Sequence, residues 1–385
     1  MQTPKKKVLI LLDKSPFTSF GRIAASYVQA IDGEYEVSTC YLTSPEYFKK
    51  GQSLKGFEVY SPKFIFGFFI YPHGVKRIVK DFKPDLVIAI RPELGFIIQS
   101  IHQAFPQVKT TVMIHDMFAE TLYPTSLKYK LINRFFINPI LVADSFLYNS
   151  NYSKNETHQH FKFEKSEVIV GCVIHTEDFF PILNDSLPDS KKLHELENLD
   201  QFVHQKLKSK WGFQANDSVY LTICLDEPRK NIETFLLIAQ AMPDARFVRI
   251  GELSPWIDKF LFDNNILNVQ HYYQLQLSDI RELYNLADAL VYTSLLEGFG
   301  YPPLEAMACG TQVVSSNTSA LSENLKDVAL LVDNPCDVDG FVSAIHQIKA
   351  HPFEVQKLHQ RVSRFSLENF AIVLKNHLDT LLSES

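Results

Sequence analysis

The sequence predicts an α/β protein built from two Rossmann-like, doubly wound domains that face each other across a cleft. Three observations carry this. The chain has 385 residues, more than one ordinary hydrophobic core organises. Short apolar runs alternate with helical segments in both halves, the pattern of parallel sheets covered on both faces. That rhythm breaks once, over residues 171–214.

In the first half the strand candidates are Val8–Leu12, Val37–Tyr41, Leu86–Ile90, Thr111–Ile114, Ser145–Tyr148 and Val168–Val170. Helical patterns fall between most of them, at Ile23–Ile31, Pro92–Gln103 and Leu127–Val142. Residues 171–214 hold Pro181, Pro188, Asp/Asn/Ser-rich turns and a polar helical segment, Lys191–Lys210, so they read as an interdomain connection with a surface excursion. Alternation resumes at Tyr220–Cys224 and continues through Arg246–Ile250, Val269–Tyr272, Ala289–Tyr292 and Gln312–Ser315, with helices at Ser278–Asn285 and near Pro303–Ala308. An amphipathic helix, Phe365–Leu382, closes the chain. The expected division is 1–170, 171–214, 215–364 and a tail, 365–385, that crosses back to the first domain. Open sheets of this kind bind ligands at the carboxyl ends of their strands.

Composition is that of a folded globular chain, 46% hydrophobic and 21% charged. The apolar start at Val8–Leu12 is interrupted by Asp13, so it reads as a buried strand rather than a secretory signal. No run approaches the roughly 20 apolar residues that span a bilayer. Five scattered cysteines without a C-x-x-C pair fit reduced thiols and a cytoplasmic setting. Residues 1–180 carry 21 Lys and Arg against 17 Asp and Glu, and the remainder 17 against 27. A mildly basic first half suits an anionic surface or substrate, whereas nucleic-acid binders are far more basic.

The densest chemical signal lies in Ser294–Thr311. A strand precedes it, Gly298-Phe299-Gly300 forms a turn, Pro302-Pro303 opens a helix and Gly310 ends it. Such a turn presents backbone N–H groups at a helix N-terminus, suited to diphosphate or sugar oxygens. Glu297 and Glu305 stand eight positions apart on either side, and a carboxylate can accept bonds from vicinal hydroxyls. Arg229 and Lys230 open a helix, where positive charge is unfavourable unless an anion lies nearby. Asp337-Val338-Asp339 has the form of a D-x-D metal motif, but its place ahead of an apolar-periodic segment makes Asp337 a helix N-cap.

The Glu297–Glu305 segment resembles the E-x7-E signature of the retaining family 4 glycosyltransferases, which have the GT-B fold. Four further stretches agree in order. Glu227–Asn231 resembles the strand-end motif whose basic residues hold the donor diphosphate. Ile114-His115-Asp116 resembles the strand end whose histidine contacts the donor sugar. Asp144–Lys154 and Arg364–Phe370 resemble the last strand of the N-terminal domain and the start of the last helix. Gly21, between Phe20 and Arg22, resembles the first glycine loop. The resemblance implies sugar transfer from a nucleoside diphosphate sugar to an acceptor hydroxyl with retention, without a required metal or other cofactor. It implies Glu297, His115 and Lys230 as catalytic residues, and Arg229, Lys230, Gly298, Phe299, Gly300, Glu305 and Gly21 as donor-binding ones. His115 also fits a core histidine.

Some positions depart from the family. Cys224-Leu225 replaces a glycine before the basic motif, Gly171–His175 replaces the usual interdomain turn, Tyr273 stands where a glycine meets the base, and Leu367 replaces a tryptophan. These departures favour a second reading, a catalytically silent nucleotide-sugar-binding partner. Retention of Glu297, Glu305, Lys230 and His115 argues against it. Phe64–Tyr71 is strongly apolar and is followed by Lys76, Arg77 and Lys80, a composition that can seat a protein on an anionic leaflet and that a buried segment followed by an ordinary basic helix explains about as well. A glycan or lipid-linked acceptor at the inner face of the membrane follows, as in lipopolysaccharide, capsule or other envelope polysaccharide synthesis. No nucleic-acid partner is expected.

Overall fold

The computed structural model describes residues 4–15, 18–44, 56–61, 64–117, 125–182 and 196–383. Pro188, residues 183–195 of the expected excursion and the start of its polar helix lie outside them. The chain divides into two compact units, Met1–Val173 with Leu367–Ser385, and Ile174–Ser366.

The first unit carries a seven-stranded sheet in the order β3-β2-β1-β4-β5-β6-β7. Its strands are β1 (Lys7–Leu12), β2 (Glu36–Thr43), β3 (Phe57–Tyr60), β4 (Leu86–Ala89), β5 (Lys109–Ile114), β6 (Ser145–Tyr148) and β7 (Ser166–Ile169). Every pairing is parallel. Helices therefore cover both faces, which explains why Val8–Leu12 is apolar without alternation and wholly buried. The second unit repeats the plan with six parallel strands in the order β10-β9-β8-β11-β12-β13. These are β8 (Val219–Ile223), β9 (Arg246–Ile250), β10 (Val269–Tyr272), β11 (Ala289–Tyr292), β12 (Gln312–Ser316) and β13 (Leu330–Val332).

Both sheets reverse their strand order at one place, between β1 and β4 in the first unit and between β8 and β11 in the second. The connections there leave in opposite directions and open a crevice at the strand ends, where doubly wound sheets take ligands. This is the GT-B architecture.

Several elements differ in extent from the sequence reading. The apolar run from Phe64 and the basic stretch after it form one helix, Phe64–Phe82, that continues through Pro72. Close packing holds it: a Cβ on Gly67 would lie 2.2 Å from the Tyr71 ring, and one on Gly74 would lie 2.4 Å from Val59. The region 127–142 is a short α-helix, Leu127–Ile132, followed by a π turn and a 3-10 turn. The last helix, Leu367–Ser383, packs in the first unit. There Phe370 meets Tyr27 edge-on at 5.0 Å, and Lys375 pairs with Glu34 at 2.7 Å.

Candidate active site

In the second unit the loop after β8 is stitched to the loop after β11. Pro228–Lys230 forms a single 3-10 turn, and Asn231 ends it in the left-handed conformation at φ +50°, which asparagine tolerates. Asn231 Nδ2 donates to the Thr293 carbonyl (3.1 Å), Thr293 Oγ1 donates to the Asn231 carbonyl (2.9 Å), and the Leu295 N–H donates to the Arg229 carbonyl (2.7 Å). These bonds fix the backbone on both sides of the β8/β11 crevice.

Arg229, Lys230 and Glu297 meet in that crevice. Lys230 Nζ lies 2.5 Å from Glu297 Oε1, and Arg229 Nη1 lies 3.3 Å from Glu297 Oε2. The Tyr292 hydroxyl, at the end of β11, donates to Glu297 Oε1 at 2.8 Å and accepts from Lys230 Nζ at 3.1 Å. Arg229 also pairs with the more exposed Glu227 at 2.7 Å. Burial alone would raise the Glu297 carboxyl, but Lys230 and then Arg229 outweigh it and hold the group below the usual carboxylate range. Burial and the neighbouring Glu297 carboxylate push the Tyr292 phenol well up, so it stays a neutral donor.

The Gly298–Gly300 turn leads from this cluster into the helix Tyr301–Ala308. Gly300 has φ +95°, and a Cβ there would lie 2.6 Å from Leu321 Cδ2. Ser319 Oγ accepts from the Glu297 N–H at 2.8 Å, and Asn324 Nδ2 donates to the Phe299 carbonyl at 2.7 Å. The Phe299 ring is buried edge-on against Phe365 at 5.2 Å, so only its backbone can reach a ligand. Glu305, one turn into the helix and buried, accepts from the Tyr284 hydroxyl at 3.1 Å.

The remaining two predicted residues belong to the first unit. His115 follows β5 and is buried, with Nε2 donating to the Ile90 carbonyl at 2.8 Å and Phe20 edge-on at 5.2 Å. Burial first, with Arg91 adding to it, lowers its pKa to about 4. The imidazole is therefore neutral near pH 7 and, with its proton on Nε2, offers Nδ1 as an acceptor. Gly21 lies inside the helix Ser19–Ile31 rather than in a glycine loop, and its N–H donates to the N-cap Thr18 Oγ1 at 3.3 Å. Asp337 is an N-cap, with Oδ1 accepting from the Gly340 N–H at 2.9 Å.

Tyr292 and Tyr284 were missed by the sequence reading. Each is an aromatic residue in a buried element whose polar tip has to find a partner, and that requirement was the available signal. Among the described residues no group of three or more His, Cys, Asp or Glu side chains is placed to hold a metal ion.

Both units are Rossmann-like, and the second gathers basic and acidic side chains at its switch point. Residues 203–365, within the second unit, match the family described as "Glycosyl transferases group 1". The chain is 28% identical over 198 residues to the O-antigen chain mannosyltransferase RfbU of Salmonella typhimurium, covering 49% of this chain and 54% of that protein. It is 30% identical over 208 residues to O-antigen chain mannosyltransferase B of Escherichia coli, covering 51% and 49%. The chain thus spans about half the length of these curated relatives. Its fold is similar over 99% of its length to the whole of sucrose-phosphate synthase from Thermosynechococcus elongatus, with a TM-score of 0.77 at 16% identity.

Proposed function

We propose that the protein is a retaining glycosyltransferase that moves a sugar, mannose by analogy with the relatives, from a nucleoside diphosphate to a hydroxyl of an envelope glycan or lipid-linked precursor. The observation that carries this reading is the Arg229–Lys230–Glu297 cluster at the β8/β11 switch point, inside the stretch that matches the glycosyltransferase family.

In this reading Lys230 and Arg229 turn towards the departing diphosphate, where fixed positive charge stabilises the negative charge that develops as the glycosidic bond breaks. Backbone N–H groups of the Gly298–Gly300 turn complete the phosphate site. Glu297 accepts from hydroxyls of the transferred sugar and Glu305 from the ribose. No side chain serves as nucleophile. The acceptor attacks from the face the diphosphate leaves, and a phosphate oxygen takes its proton, so positioning supplies much of the rate gain. No metal enters, and turnover is expected to persist in EDTA.

The acceptor side includes contact with an anionic membrane surface. Leu127 (72% exposed), Leu131 (49%) and Phe135 (47%) recur every fourth residue. Lys128, Lys130 and Arg134 stand among them, with no acidic residue between Thr125 and Ala143. Among the described residues no helix is long and apolar enough to cross a membrane, so the reading is of a surface contact.

The primary test is a thermal-shift and turnover screen with UDP-, GDP- and ADP-sugars. A donor at 100 times its dissociation constant stabilises the fold by about 2.7 kcal/mol. Absence of both a shift and donor turnover across the panel would overturn the reading.

A further inference from the structure

The turn at Gly298–Gly300 is held along its length by one short helix of the same unit, Ser319–Asn324. Its first residue, Ser319, accepts the Glu297 N–H on Oγ at 2.8 Å, and the Ala320 N–H donates to the Glu297 carbonyl at 3.2 Å. At the other end Asn324 Nδ2 donates to the Phe299 carbonyl at 2.7 Å. Between them Leu321 closes over Gly300. Ser319 has φ +48°, a left-handed conformation that costs a residue other than glycine roughly 1–2 kcal/mol. Such strain persists where the surroundings fix it, and here the bonds to Glu297 do so.

Peptide planarity converts these contacts into an aim. A trans peptide keeps its C=O and N–H pointing in opposite directions, so a carbonyl that is tied down sets the direction of the next residue's N–H. Asn324, through the Phe299 carbonyl, directs the Gly300 N–H. Ala320, through the Glu297 carbonyl, directs the Gly298 N–H. These are donors that our reading assigns to the diphosphate.

The far end of the short helix is clamped in turn. Arg361, on the helix Val355–Ser363, spreads its guanidinium over three carbonyls. Nη1 donates to Glu323 at 3.3 Å and to Asn324 at 2.8 Å, and Nη2 donates to Lys326 at 2.8 Å. The last carbonyls of a helix have no partner within it, and a cation beside them is favoured by the helix dipole. Asn324 is buried. Its backbone carbonyl is taken by Arg361 while its side chain holds Phe299, so one residue joins the clamp to the turn.

We infer that Arg361 is a positioning residue for sugar transfer, fixing Asn324 and through it the aim of the Gly300 N–H without touching the donor. This rests on the glycosyltransferase reading above and deepens it by naming what sets the geometry of the phosphate-binding turn. Hydrogen bonds weaken steeply with misalignment. A released turn would therefore stabilise the charge that develops on the departing diphosphate less well, with a smaller effect on the bound ground state.

The test follows release of nucleoside diphosphate from the UDP-, GDP- or ADP-sugar that the screen selects. Arg361→Met keeps the apolar stem and removes the guanidinium, and Asn324→Ala removes the amide. Each is expected to lower kcat roughly 10-fold with little change in donor KM, less than the about 100- to 1000-fold lost when such a donor is deleted outright. Arg361→Lys, which retains a charged donor, should recover part of the loss. Because both residues act on one path, the double variant should be no slower than the slower single one. A second measurement needs no turnover. Amide hydrogen exchange in Arg361→Met should quicken over residues 297–300 as well as 319–327. Should that variant fail to fold, Arg361→Lys takes its place in both measurements. A lowered thermal midpoint with kcat unchanged would show a purely structural role and overturn the inference, as would kcat losses that multiply in the double variant. Faster exchange confined to 319–327 would overturn it too. A native protein that turns over no sugar donor would instead remove the glycosyltransferase reading, and exchange would still decide whether Arg361 holds the turn.

Discussion

Lys230 and Glu297 are bonded directly to each other, Nζ to Oε1 at 2.5 Å, with the Tyr292 hydroxyl on the same oxygen. The lysine therefore has an internal counter-ion, and a diphosphate would share or displace it. Lys230→Ala is expected to weaken nucleoside diphosphate binding roughly 10- to 100-fold, since a charge-assisted hydrogen bond contributes about 1.5–3 kcal/mol. Arg229 remains on the other oxygen of Glu297, so the carboxylate is not abandoned and the fold should survive. Isothermal calorimetry with the bare diphosphate decides it, and an unchanged affinity would remove Lys230 from the phosphate site.

The depressed Glu297 pKa has a signed consequence for stability. The carboxyl is below 4.5 in the fold, so the folded state favours the ionised form. Its contribution is fully present above pH 4.5 and is lost as pH falls through the folded value. Thermal midpoints of the native protein and Glu297→Gln should therefore differ most above pH 4.5 and converge below it. A difference independent of pH would mean that the charge is not what Lys230 and Arg229 recognise.

His115 titrates in the opposite chemical sense with the same direction in pH. It is held neutral in the fold, at about 4 against 6.5, so between those values the unfolded chain binds the extra proton. Stability is then lost as pH falls from 6.5 towards 4, by about 1.4 kcal/mol per pH unit. His115→Gln should flatten that slope. Ring-proton NMR of the native protein should show one histidine still neutral at pH 5.

How far the residues themselves revealed this arrangement depends on the distance over which each signal acts. The buried parallel strands were legible because runs such as Val8–Leu12 and Ala289–Tyr292 have few alternatives to a sheet covered on both faces. The cap at Asp337 was legible because it is local. The unfavourable charge of Arg229 and Lys230 at a helix start pointed to a nearby anion, and the structure supplies one in Glu297, 67 residues away along the chain from Lys230. Which anion it was could not be read, because the partner comes from another loop. The helix through Pro72 was hidden, since proline usually breaks helices and the close approach of Gly74 to Val59 and the Tyr71 bond to the Thr43 carbonyl are tertiary contacts that a local reading does not supply. Asp13 looked like a strand terminator. Its ion pair with Arg91 became visible only once the two were placed side by side.

Membrane contact should be measurable and electrostatic. The protein is expected to cosediment with vesicles containing phosphatidylglycerol and much less with phosphatidylcholine alone, and added salt should weaken the binding. Replacing Lys128, Lys130 and Arg134 with glutamine removes about 1 kcal/mol per charge. Leu131→Asp with Phe135→Asp should abolish what remains. Equal binding to both vesicle types would rule out this basic surface as the docking face.

Glu297 and Glu305 should separate in kinetics. Glu297 sits on the strand-end loop with its oxygens held by Lys230, Arg229 and Tyr292, and in our reading it meets the transferred sugar. Glu305 lies one turn into the next helix on the Tyr284 hydroxyl, and in our reading it meets the ribose. Glutamine keeps the shape of each side chain but replaces one acceptor with a donor. Contacts to the sugar that strengthen as positive charge develops appear mainly in turnover, whereas ribose contacts are alike in ground and transition states and appear in affinity. Glu297→Gln should therefore lower kcat much more than it weakens binding of the bare nucleoside diphosphate, and Glu305→Gln should impair that binding directly. Tyr284→Phe offers a control, since it removes the Tyr284 hydrogen bond to Glu305 without removing the carboxylate and should shift nucleotide affinity while leaving kcat nearly constant. Steady-state kinetics beside calorimetry provides the comparison. Equal losses of affinity in both glutamine variants, with kcat unmoved, would show that the two carboxylates do not divide the donor between them.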